Sequence, residues 1–269
     1  MDINSLFNVK DKIVLVSGGS RGIGLMIAKG FITNGATVYI SSRSVNVCDQ
    51  VAKELSAQGP GKAISLPANL QQLDECKRII DEIAKREGNF VLQKELHILV
   101  NNAGATWGAP FDEYPEEAFE KVMNLNVKRV FSLTQAALPL LEKASTQHDP
   151  ARVINIGSID GARVPFLETY AYSASKAALH HLTNVLAGNL SRRNITFNTI
   201  APGPFESKMM AATIKTYGDT FRNIIPLGRI GSPEDIAGTC IYLCSRAGAY
   251  TNGATILVDG GYLSNPAKL

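Results

Sequence analysis

Short β-branched apolar runs alternate along this chain with longer segments whose apolar residues recur three and four apart. Residues 13–16, 37–41, 63–66, 98–100, 153–156, 195–200 and 255–258 read as strands. Between them, residues 23–33, 47–58, 73–86, 115–141 (as one helix or two), a run through residues 172–186, and 233–244 read as helices. Strands this apolar must be buried on both faces, and a helix after almost every strand supplies the cover. The predicted fold is α/β: a doubly wound, seven-stranded parallel sheet with helices on both faces, in one continuous domain over residues 1–269. No linker, repeat or low-complexity stretch divides it. Residues 88–95 and 146–150 read as surface insertions, and the long, weakly periodic segment 204–226 as a lid.

One turn departs from packing logic. Gly18, Gly19, Ser20, Arg21, Gly22, Ile23 and Gly24 join the first strand to the first helix. Glycines let a backbone approach a pyrophosphate, and a helix N-terminus offers it free N–H groups. In this strand–turn–helix context the pattern predicts a dinucleotide site in the first half of the chain, against a bare tight turn as the alternative. The second strand ends in Ser42 and Arg43, with no acid before Asp49. Hydroxyls and a guanidinium suit a ribose 2′-phosphate, which Arg21 can also reach, so the expected cofactor is NADP(H) rather than NAD(H). The alternative, a solvated strand-end arginine, implies no cofactor preference.

A second patch of chemistry opens the long helix. In Tyr170-Ala171-Tyr172-Ser173-Ala174-Ser175-Lys176, Tyr172 and Lys176 lie four apart, on one helical face. An ammonium beside a phenol lowers its pKa from about 10, making an acid or base of it. Taken alone, the pair reads equally as surface decoration. Ser173 and Ser175 are read as packing residues, at the wrong helical angle to join Tyr172.

Composition narrows the class further. The chain is 45% hydrophobic with a net charge of +3, and no more than two Lys or Arg adjoin, which argues against nucleic acid. Cys48, Cys76, Cys240 and Cys244 are scattered without a CxxC, and adjacent His180 and His181 diverge on a helix, so no metal site is expected. The cysteine usage suits a reducing, intracellular compartment. Residues 1–12 lack a basic region followed by an apolar one, and no apolar run reaches about 18 residues, so neither a leader nor a membrane span is expected. The tripeptide Ala267-Lys268-Leu269 is similar to a Ser-Lys-Leu peroxisomal address; the expected location is cytoplasmic, or peroxisomal in a eukaryote.

With these residues in order, the chain resembles the short-chain dehydrogenase/reductase family, a Rossmann-fold family, over essentially its full length. The first turn is similar to the family's TGxxxGxG with Ser17 for threonine; Asn101-Asn102-Ala103-Gly104 to NNAG; Asn126, Ser158, Tyr172 and Lys176 to its catalytic asparagine, serine and YxxxK; and Pro202-Gly203 follows the sixth strand as in the family. The resemblance implies that Tyr172 exchanges a proton with a carbonyl or alcohol oxygen. It implies that Lys176 lowers the Tyr172 pKa and bonds the nicotinamide ribose, that Ser158 polarises the carbonyl, and that Asn126 positions a relay water. It extends cofactor contacts to Asn69, Leu70, Asn102, Ala103, Gly104, Pro202, Gly203, Phe205 and Ser207. Asn69-Leu70 stands where the family usually has an acid near adenine, so that contact is expected in altered form.

Thr106, Trp107, Pro165, Phe166, Leu167 and a lid from residue 205 to 214 with Met209 and Met210 should wall the substrate pocket. Their apolar character favours a hydrophobic ketone or acyl chain. The 101–109 and 151–158 segments look closest to 3-oxoacyl-[acyl-carrier-protein] reductases of the general and rhamnolipid types, and fungal relatives reduce varied ketones. Arg192 and Arg193 would then supply basic surface near the site, or else form a solvated helix end. The rivals are an NAD(H)-dependent alcohol or sugar-acid dehydrogenase and a non-catalytic cofactor-binding regulator. The resemblance also implies a homotetramer, or a homodimer, through residues 233–244 and 255–258.

Overall fold

The computed structural model describes residues 2–87, 95–207 and 210–265. The predicted 88–95 insertion, Met209 and the Ala267-Lys268-Leu269 tail therefore fall wholly or mostly outside the described residues. The elements run α1 (Ile3–Leu6), β1 (Ile13–Ser17), α2 (Gly22–Thr33), β2 (Thr37–Ser41), α3 (Val45–Ser56), β3 (Lys62–Ser65), α4 (Leu73–Glu87), β4 (Ile98–Asn101) and α5 (Glu116–Met123). They continue with α6 (Arg129–Ala144), β5 (Ala151–Ile156), α7 (Tyr170–Leu190), β6 (Ile195–Pro202), α8 (Ala211–Ile224), α9 (Pro233–Cys244) and β7 (Thr255–Val258). The seven strands form one parallel sheet in the order β3-β2-β1-β4-β5-β6-β7. The predicted doubly wound sheet is the observed one.

Successive residues of β1 show why the strands are apolar throughout. Val14 and Val16 enter a cluster with Phe31, Ile98 and Ile236, while Leu15 enters a second with Leu99, Leu133 and Phe197 on the opposite face. Both clusters are closed by helices, so neither side of the sheet can be polar. All four cysteines are buried and free.

Two segments differ from the sequence reading. The 115–141 run is broken: α5 and α6 flank a π-turn, Asn124–Lys128, which carries Asn126. Asn124 turns its amide out of the helix to the carbonyl and side-chain oxygens of Gln71, at 3.1 and 2.6 Å. The 204–226 segment, read as a weakly periodic lid, contains α8, a full helix of 14 residues. Its periodicity is faint because it rests on the protein mainly through Phe221, with Lys215, Asp219 and Arg222 interleaved.

The strands' C-terminal ends carry a buried polar seam. Asn101, Asn155 and Thr199 stand in register on β4, β5 and β6. The Asn101 amide donates to Asn155 Oδ1 (2.9 Å) and to Thr134 Oγ1 (3.1 Å). Asn155 Nδ2 and the Thr199 hydroxyl both donate to Thr183 Oγ1 on α7, each at 2.9 Å, and Thr183 donates to Leu179 O.

The opposite end of the sheet holds charge. Arg152, 1% exposed, donates to the carbonyls of Leu243 and Ser245 at the end of α9 and to Asp149, which also pairs with Lys12. Beside them His97 Nδ1 accepts the Ile13 N–H at 3.1 Å. Burial, aided by Lys12 and opposed by Asp149, holds the His97 pKa down at about 4. Between pH 6.5 and 4 the unfolded chain thus takes up a proton that the folded chain refuses. Stability should fall by about 3 kcal/mol across that window through this group. Urea unfolding at stepped pH should show a smaller acid-side loss in His97→Gln than in wild type; parallel curves would refute the assignment.

Candidate active site

The cofactor and catalytic candidates gather at the C-terminal edge of the sheet, where the strands deliver their loops. Ser17 ends β1, and its hydroxyl accepts the N–H groups of Asn102 and Ala103 (3.0 Å each) while donating to Val100 O (3.2 Å). Asn102 returns its amide to the carbonyls of Ser17 and Gly18 at 2.9 and 3.1 Å. The glycine turn and the NNAG turn are thus stitched side by side. A Cβ on Gly24 would overlap Asn102 Nδ2 and Gly18 O, so the close approach itself demands glycine there. Gly22, at φ +53°, sits with its Cβ direction 3.1 Å from Ser207 Cβ, which places the start of the lid segment over the turn.

The turn fits a pyrophosphate and β2 fits an added phosphate. The cap residue of α2, Arg21, is extended and contributes no side-chain cap, so the first N–H groups of α2 have no side-chain acceptor. At the end of β2 the Ser42 hydroxyl is buried without a partner, and exposed Arg43 beside it enters no ion pair among the described residues. An orphaned donor next to a free guanidinium is the arrangement an adenosine 2′-phosphate would complete. Ser20 is buried in the turn and Ile23 partly so.

Past β3, exposed Asn69 spends its side-chain oxygen on the Gln71 N–H (3.3 Å), leaving its amide hydrogens outward. Two expected contacts take a different form. Leu70 and Phe205 are buried in the two core clusters, at 6% and 1% exposure, so their side chains pack inside. Phe205 lies against Gly231, where no side chain would fit, and cannot wall a substrate pocket. Gly203 packs close on Asp259 behind Pro202, while Gly104 lies beside the Asn126 side chain.

The catalytic candidates converge. The Ser158 hydroxyl accepts the Asp160 N–H at 3.1 Å and lies close enough to the Tyr172 phenol to favour its charged form. Lys176 lies one helical turn along α7, with Nζ 5.5 Å from the Tyr172 ring centre and donating to Ile156 O at 2.7 Å. Asn126 uses its whole amide on protein: Oδ1 accepts Ala105 N–H, and Nδ2 donates to Ala105 O and to Ser175 Oγ, all at 2.9 Å. Ser175, which the sequence reading set aside as packing, instead ties Asn126 to the Tyr172 carbonyl, which it meets at 2.7 Å. Only its backbone neighbourhood made it look idle; its partner is 49 residues away in sequence.

The electrostatics also run against expectation. The Tyr172 pKa is not lowered but pushed up to about 12: loss of hydration dominates, the Ser158 hydrogen bond opposes it, and the Asp160 charge adds to it. Burial presses Lys176 down to about 8. A buried ammonium is itself short of solvation, so it does not outweigh the desolvation of a phenolate. The result is a phenol firmly holding its proton, the state a proton donor needs.

Arg192 and Arg193 lie far from all this. They follow α7 at its other end, about 24 Å along the helix from Lys176 at 1.5 Å per residue, and Arg193 pairs with Glu142 at 2.9 Å. The helix that places Lys176 at the site must carry its far end away, so these arginines are no part of the site. Nearer the mouth, Trp107, Phe111, Phe166, Leu167 and Tyr170 are all exposed apolar or aromatic surface. Phe166 meets the α8 rings Tyr217 and Phe221 at 5.3 and 6.3 Å, mooring the lid helix to the loop after Ser158. Among the described residues no cluster of three His, Cys, Asp or Glu is placed to hold a metal, and no helix is long and apolar enough to cross a membrane.

The comparisons agree with this geometry. A family model described as enoyl-(acyl carrier protein) reductase matches residues 18–263. The rhamnolipids biosynthesis 3-oxoacyl-[acyl-carrier-protein] reductase of Pseudomonas aeruginosa is 44% identical over 95% of this chain and 98% of its own. The short-chain dehydrogenase/reductase PhomF of the fungus Diaporthe leptostromiformis is 35% identical over 96% of this chain and 94% of its own. Among solved structures, the Pseudomonas aeruginosa RhlG/NADP active-site complex superposes with a TM-score of 0.89 at 42% identity, covering 96% of this chain and 98% of that one. Sheet order, stitched turns and full-length similarity together place this chain in the short-chain dehydrogenase/reductase family of oxidoreductases.

Proposed function

We propose that this protein is an NADPH-dependent reductase of hydrophobic ketones, with 3-oxoacyl thioesters as the leading substrate class and a secondary alcohol as product. The observation that carries the reading is the Ser158–Tyr172–Lys176 constellation, in which a protonated phenol, a neighbouring hydroxyl and an ammonium gather where a carbonyl oxygen can be held. Bound NADPH supplies the hydride. Ser158 and Tyr172 then both donate to the carbonyl oxygen, and Tyr172 passes its proton to the oxygen as negative charge develops there. Lys176, held by Ile156 O, stands behind the phenol as the cation that steadies the resulting tyrosinate. Asn126, braced by Ala105 and Ser175, fixes the π-turn beside Lys176.

Arg43, Ser42 and Arg21 support NADP(H), and the similarity to a relative solved with NADP points the same way. The exposed apolar rim at Trp107, Phe166 and Leu167 favours an acyl chain over a free sugar acid. For assembly we propose a homotetramer built on α9 and the sheet-edge strand β7, supported by the exposed Leu257 and Tyr250 at that edge.

The test is an absorbance assay of NADPH and NADH oxidation against acetoacetyl and longer 3-oxoacyl thioesters, β-keto esters, cyclic ketones and a keto-sugar acid. Fast NADPH oxidation that rises with acyl length is the expected result. Turnover confined to the keto-sugar acid, or tight NADPH binding with no turnover on any carbonyl, would overturn the reading.

A further inference from the structure

The stripe that carries Tyr172 and Lys176 along α7 has a third member. His180 lies four residues beyond Lys176, and its ring reaches under the loop after β5. Nε2 accepts the backbone N–H of Ser158 at 3.4 Å. The ring is wedged between two glycines of that loop. A Cβ on Gly157 would overlap Nε2, and a Cβ on Gly161 would come within 2.8 Å of Cε1. Thr199 of β6 also backs onto Gly157. The loop that presents the Ser158 hydroxyl is therefore seated on a side chain from the helix that presents Tyr172.

We infer that His180 is a positioning residue for the reduction, holding the Ser158 loop in register with Tyr172 by accepting its N–H. The inference rests on the function proposed above. Accepting at Nε2 requires the neutral ring with its proton on Nδ1. Burial, with the Lys176 charge adding to it, favours that neutral form. Position matters because a substrate oxygen must meet the Ser158 hydroxyl and the Tyr172 phenol together, and catalysis is steep in such distances. The sequence signal was available in the i, i+4, i+8 spacing of Tyr172, Lys176 and His180, but histidine chemistry was weighed only for metals.

The experiment compares wild type, Tyr172→Phe, His180→Leu and His180→Gln in the NADPH assay, with NADPH binding by fluorescence and amide exchange at residues 158–161. His180→Leu fills the space without an acceptor and should lose about 10- to 100-fold in kcat with KM and NADPH affinity little changed. His180→Gln can present its amide oxygen where Nε2 lies and should recover most of that loss. Exchange at the Ser158 amide should quicken in the leucine variant and return toward wild type in the glutamine variant. Normal kcat in His180→Leu, a glutamine variant no better than leucine, or unchanged Ser158 exchange would each overturn the inference. Absent wild-type turnover would instead overturn the proposed function, and the exchange measurement would still decide whether His180 seats the loop.

Discussion

Tyr172→Phe should abolish ketone reduction, with a loss of about 10²- to 10⁴-fold in kcat, the range a positioned general acid contributes. The substitution removes one oxygen and nothing else of the side chain. The neighbouring Ser158 hydroxyl keeps the Asp160 N–H, so the loop retains an anchor. The glycine turn, Arg43 and the Asn102 stitching are untouched, and NADPH affinity should stay within a few-fold of wild type. Rapid quench or steady-state rates measure the first effect and NADPH fluorescence the second. A near-normal rate would mean that another group donates the proton. The pKa of about 12 sharpens the expectation, because the phenol stays protonated through neutral pH and its titration should not limit reduction there.

Arg43→Asp should swing coenzyme preference from NADPH toward NADH by roughly 10²- to 10³-fold in the ratio of kcat/KM values. Losing a charge-assisted hydrogen bond is worth about 1.5–3 kcal/mol, each 1.4 kcal/mol is tenfold, and the new carboxylate adds repulsion to a phosphate. Arg43 is exposed and pairs with no acid among the described residues, so the fold should not feel the change. Parallel NADPH and NADH titrations with one ketone read the effect. Unchanged selectivity would sink the assignment of Arg43 to the 2′-phosphate.

Residues acting through local spacing were readable from sequence. Strand and helix order followed from apolar periodicity, the glycine turn and the Tyr172–Lys176 pair from short motifs whose chemistry dictates their spacing, and Ser158 from the resemblance to the family. What escaped depends on contacts across the fold. Ser175 gains its role from Asn126, 49 residues distant, and the inward turn of Phe205 follows from the bare backbone of Gly231. Adjacency to the Tyr172 helix left open whether Arg192 and Arg193 lie near the site or form a solvated helix end; the structure has them as the helix end. The direction of the Tyr172 shift could not be read because burial, invisible in sequence, outweighs the nearby cation.

The seam of Asn101, Asn155, Thr183 and Thr199 has a consequence for how the chain finds its fold. In a sheet buried on both faces, sliding one strand by a residue exchanges apolar for apolar, and hydrophobic patterning cannot object. Sliding β5 against its neighbours would part Asn155 from both Asn101 and Thr183, leaving amides stranded in a dry interior. The polar row thus works as a proofreading mark: the central strands can settle deeply only in the one alignment that joins Asn101 to Asn155 and Asn155 to Thr183.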